Sequence, residues 1–158
     1  MFKTNEGLLR YWIRAAMIGA IYVVITLIFA PISYGMIQVR ISEMLMVLPF
    51  FTAAAVPGLF VGCMIANIFG GYGMLDIVFG SLATLISAYL VTKIENKYLV
   101  PLPPVLINAL IVGKILSIVL EMPFYLTAIW VGVGQIVACY GLGLPLLLFL
   151  EKKTYVFK

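Results

Sequence analysis

Long apolar runs, separated by short polar or glycine- and proline-rich stretches, follow one another along nearly the whole chain. About 20 consecutive apolar residues suffice to cross a bilayer as a helix. The runs are continuous, whereas the strands of a membrane barrel alternate apolar and polar positions. We therefore predict an all-α membrane protein with six spanning helices, over residues 11–30, 42–52, 56–69, 77–91, 105–120 and 127–150.

The composition agrees with this prediction. Hydrophobic residues make up 65% of the 158 residues, charged residues only 10%, and histidine is absent, which is typical of membrane proteins. Cys63 and Cys139 lie inside apolar runs and are expected to act as small hydrophobic residues. Without histidine or a Cys-x-x-Cys pair, the sequence predicts no metal site. The net charge of +4 comes from basic residues at helix ends, without the basic stripe of a nucleic-acid binder. We expect one integral membrane domain over residues 1–158.

Small residues predict close helix contacts. The first run exceeds the apolar region of a signal peptide, so we expect a retained helix. Ala15, Ala16, Gly19 and Ala20 form small-xxx-small pairs on it, which would meet a helix of this chain or of another protein. A second stripe, spaced by four in the third run, consists of Gly58, Gly62, Ala66 and Gly70.

Turn and cap residues mark the boundaries between runs. Residues 31–39 contain helix breakers and predict the first loop, and Ser42 is the expected N-cap of a short second helix interrupted by Pro49. Gly70, Gly71 and Gly73 predict a flexible turn before the fourth helix. The glycines and Pro145 of the sixth run predict a kink there.

The basic residues predict the orientation. With six spans, both termini and the 92–98 loop share one side of the membrane. That side holds nearly all the basic residues outside the helices, whereas the opposite loops hold only Arg40. The positive-inside rule makes the first side cytoplasmic. Its basic residues are Lys3, Arg10, Arg14, Lys93, Lys97, Lys152, Lys153 and Lys158.

Polar residues inside the apolar runs gather, in this topology, in the outer half of the membrane. They are Arg40, Glu43, Asn67, Asp76, Glu121 and Gln135, while Asn108 is expected nearer the cytoplasmic end. Lys114 shares a helix face with Glu121 and is expected to pair with Glu121 or Glu43. Because charge in lipid is costly, such residues usually serve function. We interpret them as lining a pocket open to the outside, with Tyr34, Tyr72, Phe124, Tyr125 and Trp130 at the same level.

Each of these residues also has a purely structural interpretation. Arg40 and Glu43 would form an ion pair three residues apart at a helix mouth. Asp76 would complement the positive end of a helix dipole. The aromatic residues would form an interfacial belt.

The sequence shows no means of hydrolysing ATP for transport. No G-x-x-x-x-G-K-[ST] motif for ATP occurs. A secondary transporter would usually show two related halves, and no internal repeat is visible. The sequence therefore favours a binding subunit that docks on a separate motor.

Several motifs together resemble the QueT family, the predicted substrate-binding S components of energy-coupling factor (ECF) transporters for queuosine precursors. They are RISEMLMVLP at 40–49, AVPGLFVGCMIAN at 55–67, DIVFGSLATL at 76–85, PPVLINA at 103–109 and GLPL at 143–146. The resemblance implies a six-helix S-component bundle in the bacterial cytoplasmic membrane. It also implies a transmembrane coupling subunit that meets Ala16-x-x-x-Ala20, and two partner ATPase subunits that use ATP, with no cofactor in this chain. Gln135 departs from the family, where we expect glutamate.

The ligand implied by this resemblance is a 7-deazaguanine with an aminomethyl group (preQ1) or a nitrile (preQ0), or queuine. Glu43 would accept two N–H donors of its guanine-like edge, with Arg40 orienting the carboxylate. Asn67 and Gln135 would read the carbonyl and ring nitrogens, and Asp76 or Glu121 would hold an amine. Lys114 is also expected in the pocket, and Tyr34, Tyr72 or Trp130 would stack on the ring. The 31–39 loop would close as a lid.

Two other functions stay open from the sequence. One is an S component for a different vitamin-like molecule. The other is a small channel or an intramembrane enzyme, although without histidine the choice of catalytic bases is narrow.

Overall fold

The computed structural model describes residues 2–34 and 37–153, with side chains from residue 7 onward. These residues form helices and no strand, which confirms the all-α prediction. Gly35 and Met36 of the predicted lid, the Lys3 side chain and the last five residues of the basic tail lie outside the described residues. The α-helices are α1 (Phe2–Ile28), α2 (Ala30–Ser33), α3 (Ala55–Gly70), α4 (Ser81–Val91), α5 (Leu102–Val119), α6 (Phe124–Gln135) and α7 (Leu144–Glu151).

Helices of other pitch complete the architecture. A 3₁₀ helix spans Ile41–Phe50, and a single 3₁₀ turn spans Lys97–Leu99. One π-helical segment, Asp76–Gly80, leads directly into α4, and a second, Ile136–Gly143, joins α6 to α7. The sixth predicted helix therefore widens into a π-helix near its middle. Such segments often accompany functional sites.

Within the described part of the chain, three helical stretches are long and apolar enough to cross a membrane: Gly7–Ile28, Lys97–Val119 and Phe124–Glu151. The apolar helices Ile41–Phe50, Ala55–Gly70 and Asp76–Val91 are shorter. The six predicted runs thus correspond to six apolar helical stretches of a membrane protein. The number of spans and the position of the termini stay predictions.

Two predicted boundaries are wrong. Pro31 does not start a loop; it lies in the first turn of α2, where a helix does not need the missing N–H. Ser42 does not cap the 3₁₀ helix, because Arg40 flanks its start and no side chain caps it. The Ser42 hydroxyl instead lies 2.6 Å from the Thr26 hydroxyl of α1.

The 3₁₀ helix Ile41–Phe50 lies at the centre of the molecule. It packs against α1, α3, α4, α7 and the second π-helical segment. Most of its side chains are buried, as expected of a helix that is apolar on all sides. With three residues per turn, Glu43, Met46 and Pro49 share one face. A carboxylate is thereby carried into the interior.

The helices α1 and α3 pack with their backbones in contact. A Cβ atom on Gly58 would lie 2.5 Å from the Ala15 carbonyl oxygen, and one on Gly62 would lie 2.8 Å from that of Gly19. These distances confirm that the helices pack closely along the small-residue stripe of α3. The helix that this stripe meets, α1, belongs to the same chain. Ala16 and Ala20 point elsewhere and stay exposed.

The glycine turn after α3 positions the first π-helical segment. Gly71 and Gly73 have φ angles of 76° and 82°, which favour glycine over any residue with a Cβ. The Asn67 side-chain amide donates to the Asp76 carbonyl at 2.9 Å across this turn. Asp76 is therefore held against α3.

Candidate functional site

Six polar residues from six parts of the chain meet in the interior, and we call them the buried polar cluster. They are Arg40, Glu43, Asn67, Asp76, Asn108 and Gln135, each at most 4% exposed. Arg40 precedes the 3₁₀ helix and Glu43 lies in it, whereas the others lie on α3, the first π-helical segment, α5 and α6. The fold thus buries five residues that the sequence placed in the site, together with Asn108.

One half of the cluster is built around Arg40. Its Nη2 lies 3.6 Å from Asp76 Oδ2, and its guanidinium lies 5.6 Å from the centroid of the Tyr34 ring. Arg40 has an extended backbone before the 3₁₀ helix begins, so its side chain does not share a helix face with Glu43. The expected pairing of Arg40 with Glu43 is therefore wrong, and Asp76 is the acid that Arg40 meets.

The thiol of Cys63 lies between these groups. It accepts hydrogen bonds from Thr84 Oγ1 at 3.2 Å and Asn67 Nδ2 at 3.6 Å, with Arg40 Nη1 at 3.8 Å. Gly80 leaves room here, since a Cβ at that position would lie 2.7 Å from Asp76 Oδ1. This half of the cluster thus joins α3, α4 and the segment before the 3₁₀ helix.

The other half is built around Glu43. The Tyr22 hydroxyl donates to its Oε1 at 2.6 Å, and Asn108 Nδ2 donates to its Oε2 at 3.4 Å. Cys139 lies on the far side, with its Sγ 3.6 Å from the Glu43 carbonyl and 3.4 Å from Gln135 Oε1. The Glu43 carboxylate is therefore held by neutral donors.

Several buried atoms of the cluster have no hydrogen-bond partner within the described part of the chain. Because buried polar atoms are nearly always hydrogen-bonded, these atoms are available to pair with a bound polar molecule or water. Both donors and acceptors are present. They are Arg40 Nε and Nη2, Asn67 Oδ1, both carboxylate oxygens of Asp76, and Asn108 Oδ1, and Gln38 Nε2 outside the cluster is also without a partner.

Two tyrosines cover the Arg40 half. The Tyr34 hydroxyl donates to the Ala66 carbonyl at 2.5 Å, and the Tyr72 hydroxyl donates to the Tyr34 carbonyl. Burial raises the pKa of the Tyr34 phenol, which keeps it a neutral donor. Both rings are half-buried, as is the Trp130 ring on α6.

Glu121 and Lys114 lie outside the buried polar cluster. Glu121 has a φ angle of 53°, takes the left-handed position after α5 and is exposed. Lys114 is also exposed, with its Nζ 5.8 Å from the centroid of the Phe124 ring. The expected ion pair of Lys114 with Glu121 or Glu43 is not seen among the described residues, where Arg40 pairs with Asp76 instead.

The described end of the predicted lid packs against α6. A Cβ on Gly134 would overlap the carbonyl oxygen of Ile37 and lie 2.6 Å from that of Gln38. Gln38 is buried and has a φ angle of 42°, a strained value for a residue with a side chain. The segment before Arg40 is therefore held firmly against the bundle.

The sequence interpretation left out Asn108, which belongs to the cluster, and two residues next to it, Tyr22 and Thr84. Tyr22 and Thr26 lie four residues apart on α1, a spacing that could have indicated a polar stripe on its buried face. Asn108 was expected apart from the others, and this expectation is wrong because it bonds Glu43. Among the described residues, no His, Cys, Asp or Glu side chains group into a metal site.

Comparison with known proteins places these residues in a family. The QueT transporter family matches residues 12–152, a range that contains the whole buried polar cluster. The protein named "Queuosine precursor transporter QueT" from Lactococcus lactis subsp. cremoris (strain MG1363) is 38% identical over 76 residues. That match spans 47% of this chain and 44% of the relative, so less than half of the relative is covered. No solved structure matches the chain significantly. The expectation of a transporter rather than an enzyme is confirmed at the level of the family, since the chain belongs to the QueT transporter family.

Proposed function

We propose that this protein is the substrate-binding subunit of an ECF-type ABC importer, which captures a 7-deazaguanine queuosine precursor from outside. The observation that carries the proposal is the family match over residues 12–152, within which the buried polar cluster lies. The printed name of the Lactococcus relative supports the ligand class. Partner subunits would supply the ATP-driven step.

The cluster suits the hydrogen-bonding pattern of this ligand. The guanine-like edge carries parallel N–H donors, and a carboxylate accepts such a pair through both oxygens. Of the two acids in the buried polar cluster, Asp76 pairs with Arg40, whereas Glu43 is in neither salt bridge found there or at Lys97. Asn67 and Gln135, also buried, would face the other polar atoms of the ring. Tyr34, Tyr72 or Trp130 would offer a stacking surface.

The buried charges favour a cationic ligand. The charged residues of the buried polar cluster are two acids, Glu43 and Asp76, and one base, Arg40. When all three are ionised, they leave one negative charge in the interior, which is costly without a partner. A protonated amine on the ligand would offset it. The aminomethyl precursor and queuine carry such an amine, whereas the nitrile precursor does not.

A groove beside α1 offers a docking surface for the coupling subunit. It encloses about 400 Å³ and is lined on α1 by Ala16, Gly19 and Ala20 and on α3 by Val61 and Ile65. Small residues on an exposed helix face let a partner helix approach closely in lipid. With six spans and cytoplasmic termini in a bacterial plasma membrane, the ligand would enter from outside.

A binding titration with purified protein tests the ligand class. We expect the aminomethyl deazaguanine and queuine to bind more tightly than guanine or the nitrile. Glu43→Gln should weaken binding of each by about 100-fold, because a buried carboxylate acceptor is lost. Glu95→Gln, which changes an exposed loop glutamate, is the matched control. Unchanged affinity in folded Glu43→Gln and Glu43→Ala proteins would remove Glu43 from the site.

Reconstitution tests the subunit role. Liposomes that contain this chain alone should bind the ligand but not accumulate it. Addition of the coupling subunit, both ATPase subunits and ATP should start uptake. Accumulation of the ligand by liposomes with this chain alone would contradict the subunit role and leave the ligand class standing.

A further inference from the structure

We propose that Tyr22 and Asn108 determine ligand specificity: both hold the Glu43 carboxylate in place, and Asn108 Oδ1 itself accepts a hydrogen bond from the ligand. This inference rests on the proposed function, since it assigns recognition of the ligand's guanine-like edge to Glu43, Tyr22 and Asn108. Neither Tyr22 nor Asn108 was expected in the site from sequence.

Two hydrogen-bond donors hold the Glu43 carboxylate in a fixed orientation. Each carboxylate oxygen receives one donor, from Tyr22 at 2.6 Å on one side and from Asn108 at 3.4 Å on the other. The three residues are 0–2% exposed and lie on α1, the 3₁₀ helix and α5. A carboxylate fixed from two directions cannot rotate freely. Its remaining lone pairs therefore point in set directions.

The side-chain amide of Asn108 has a fixed orientation next to Glu43. An ionised carboxylate only accepts hydrogen bonds, so the nitrogen of the Asn108 side chain must face Glu43. Because the side-chain nitrogen of Asn108 faces Glu43, the oxygen Oδ1 lies on the other branch of the amide, and its position is also fixed. Asn108 Oδ1 is buried and has no hydrogen-bond partner within the described part of the chain. It is thus an oriented acceptor next to the Glu43 carboxylate.

The Glu43 carboxylate and Asn108 Oδ1 are neighbouring hydrogen-bond acceptors. Together they match a ligand edge that carries several N–H donors. A guanine-like ring presents its ring N–H and exocyclic amino group along one edge. The carboxylate would take one ring N–H and one amino N–H, and Asn108 Oδ1 the second amino N–H. A base without the amino group would leave buried acceptors unpaired, which strongly disfavours binding.

The test compares two ligands that differ only in that amino group: 7-aminomethyl-7-deazaguanine and its 2-deamino analogue. The full-length wild-type protein should prefer the first by about 10- to 100-fold. In Tyr22→Phe and in Asn108→Leu the preference should fall to about threefold or less. A merely structural role would weaken both ligands equally and leave the ratio unchanged.

Two matched variants separate specificity from packing. Tyr11→Phe removes a hydroxyl of the same helix that donates to a backbone carbonyl at 3.4 Å, away from Glu43. Thr127→Val removes a buried hydroxyl that donates to the Gly113 carbonyl at 2.7 Å. Both should retain the wild-type ratio. Should Asn108→Leu fail to fold, Asn108→Ser and Tyr22→Phe carry the test.

The outcomes separate the inference about specificity from the proposed ligand class. Wild-type preference that persists in folded Tyr22→Phe and Asn108 variants overturns the inference alone. Absence of binding of either base to the wild-type protein overturns the proposed ligand class, and the inference with it. Loss of preference in Thr127→Val as well would also count against the inference, since packing would then explain the effect.

Discussion

Arg40 Nη2 and Asp76 Oδ2 lie 3.6 Å apart, and both side chains are at least 96% buried. The two residues come from different parts of the chain, one before the 3₁₀ helix and one at the start of the first π-helical segment. The contact thus joins the two chain segments that flank α3. It also places the one arginine of the buried polar cluster beside an acid other than Glu43.

Removal of one partner of this pair should destabilise the protein strongly. We expect Arg40→Met or Asp76→Leu alone to lower the free energy of unfolding by about 3–5 kcal/mol, because each leaves an uncompensated buried charge. The double variant should cost less than either single variant. Thermal unfolding in detergent, run as a double-mutant cycle, measures the coupling. Additive effects of the two single substitutions would show that the residues do not interact.

The α1–α3 contact should be intolerant of added volume. Gly58→Ala places a Cβ 2.5 Å from the Ala15 carbonyl oxygen, so the backbones must separate. We expect a loss of about 1–3 kcal/mol, measured as a lower unfolding temperature. Gly141→Ala is the control, since nothing lies within 4 Å of its added Cβ. Equal unfolding temperatures of the two variants would argue against backbone contact.

Local features of this fold could be predicted from the sequence, because their cause is local. The spacing of Gly58 and Gly62 gives one helix face whatever the rest of the chain does, and it packs as expected. Gly71 and Gly73 form the predicted turn, and both take positive φ angles that glycine adopts at no steric cost. Glu43, Asn67 and Asp76 are buried together with other polar residues, while the predicted pocket open to the outside stays a prediction.

Pairings within the site could not be predicted, because they depend on backbone details and long-range contacts. Arg40 meets Asp76 because the backbone of Arg40 is extended. The sequence had suggested that Arg40 and Glu43 lie three residues apart on one helix and pair with each other. Glu121 leaves the cluster since it takes a left-handed position after α5. The partners of Glu43 lie 21 and 65 residues away in sequence. No periodicity within one helix indicates such distant contacts.

The fit of the predicted lid against α6 should affect ligand binding. Gly134→Ala would push away the backbone at Ile37 and Gln38, and Gln38 lies two residues before Arg40. Because repacking of this kind costs about 1–3 kcal/mol, we expect affinity for the aminomethyl deazaguanine to fall by about tenfold. Gly132→Ala, on the same helix, meets only an ordinary contact at 3.5 Å and should bind normally. Isothermal titration of both variants checks this, and equal affinities would contradict it.

The groove beside α1 should matter for assembly and not for ligand binding. Ala16→Leu with Ala20→Leu would fill part of its volume of about 400 Å³, and the coupling subunit should no longer copurify. Ligand affinity should stay within about twofold of wild type, because the exposed alanines do not contact the buried polar cluster. Met17→Leu, an exposed position of α1 that does not line the groove, is the control and should assemble normally. Copurification of the coupling subunit with the double variant at wild-type yield would place the docking surface elsewhere. Failure of both assembly and ligand binding would instead indicate that α1 had shifted against α3.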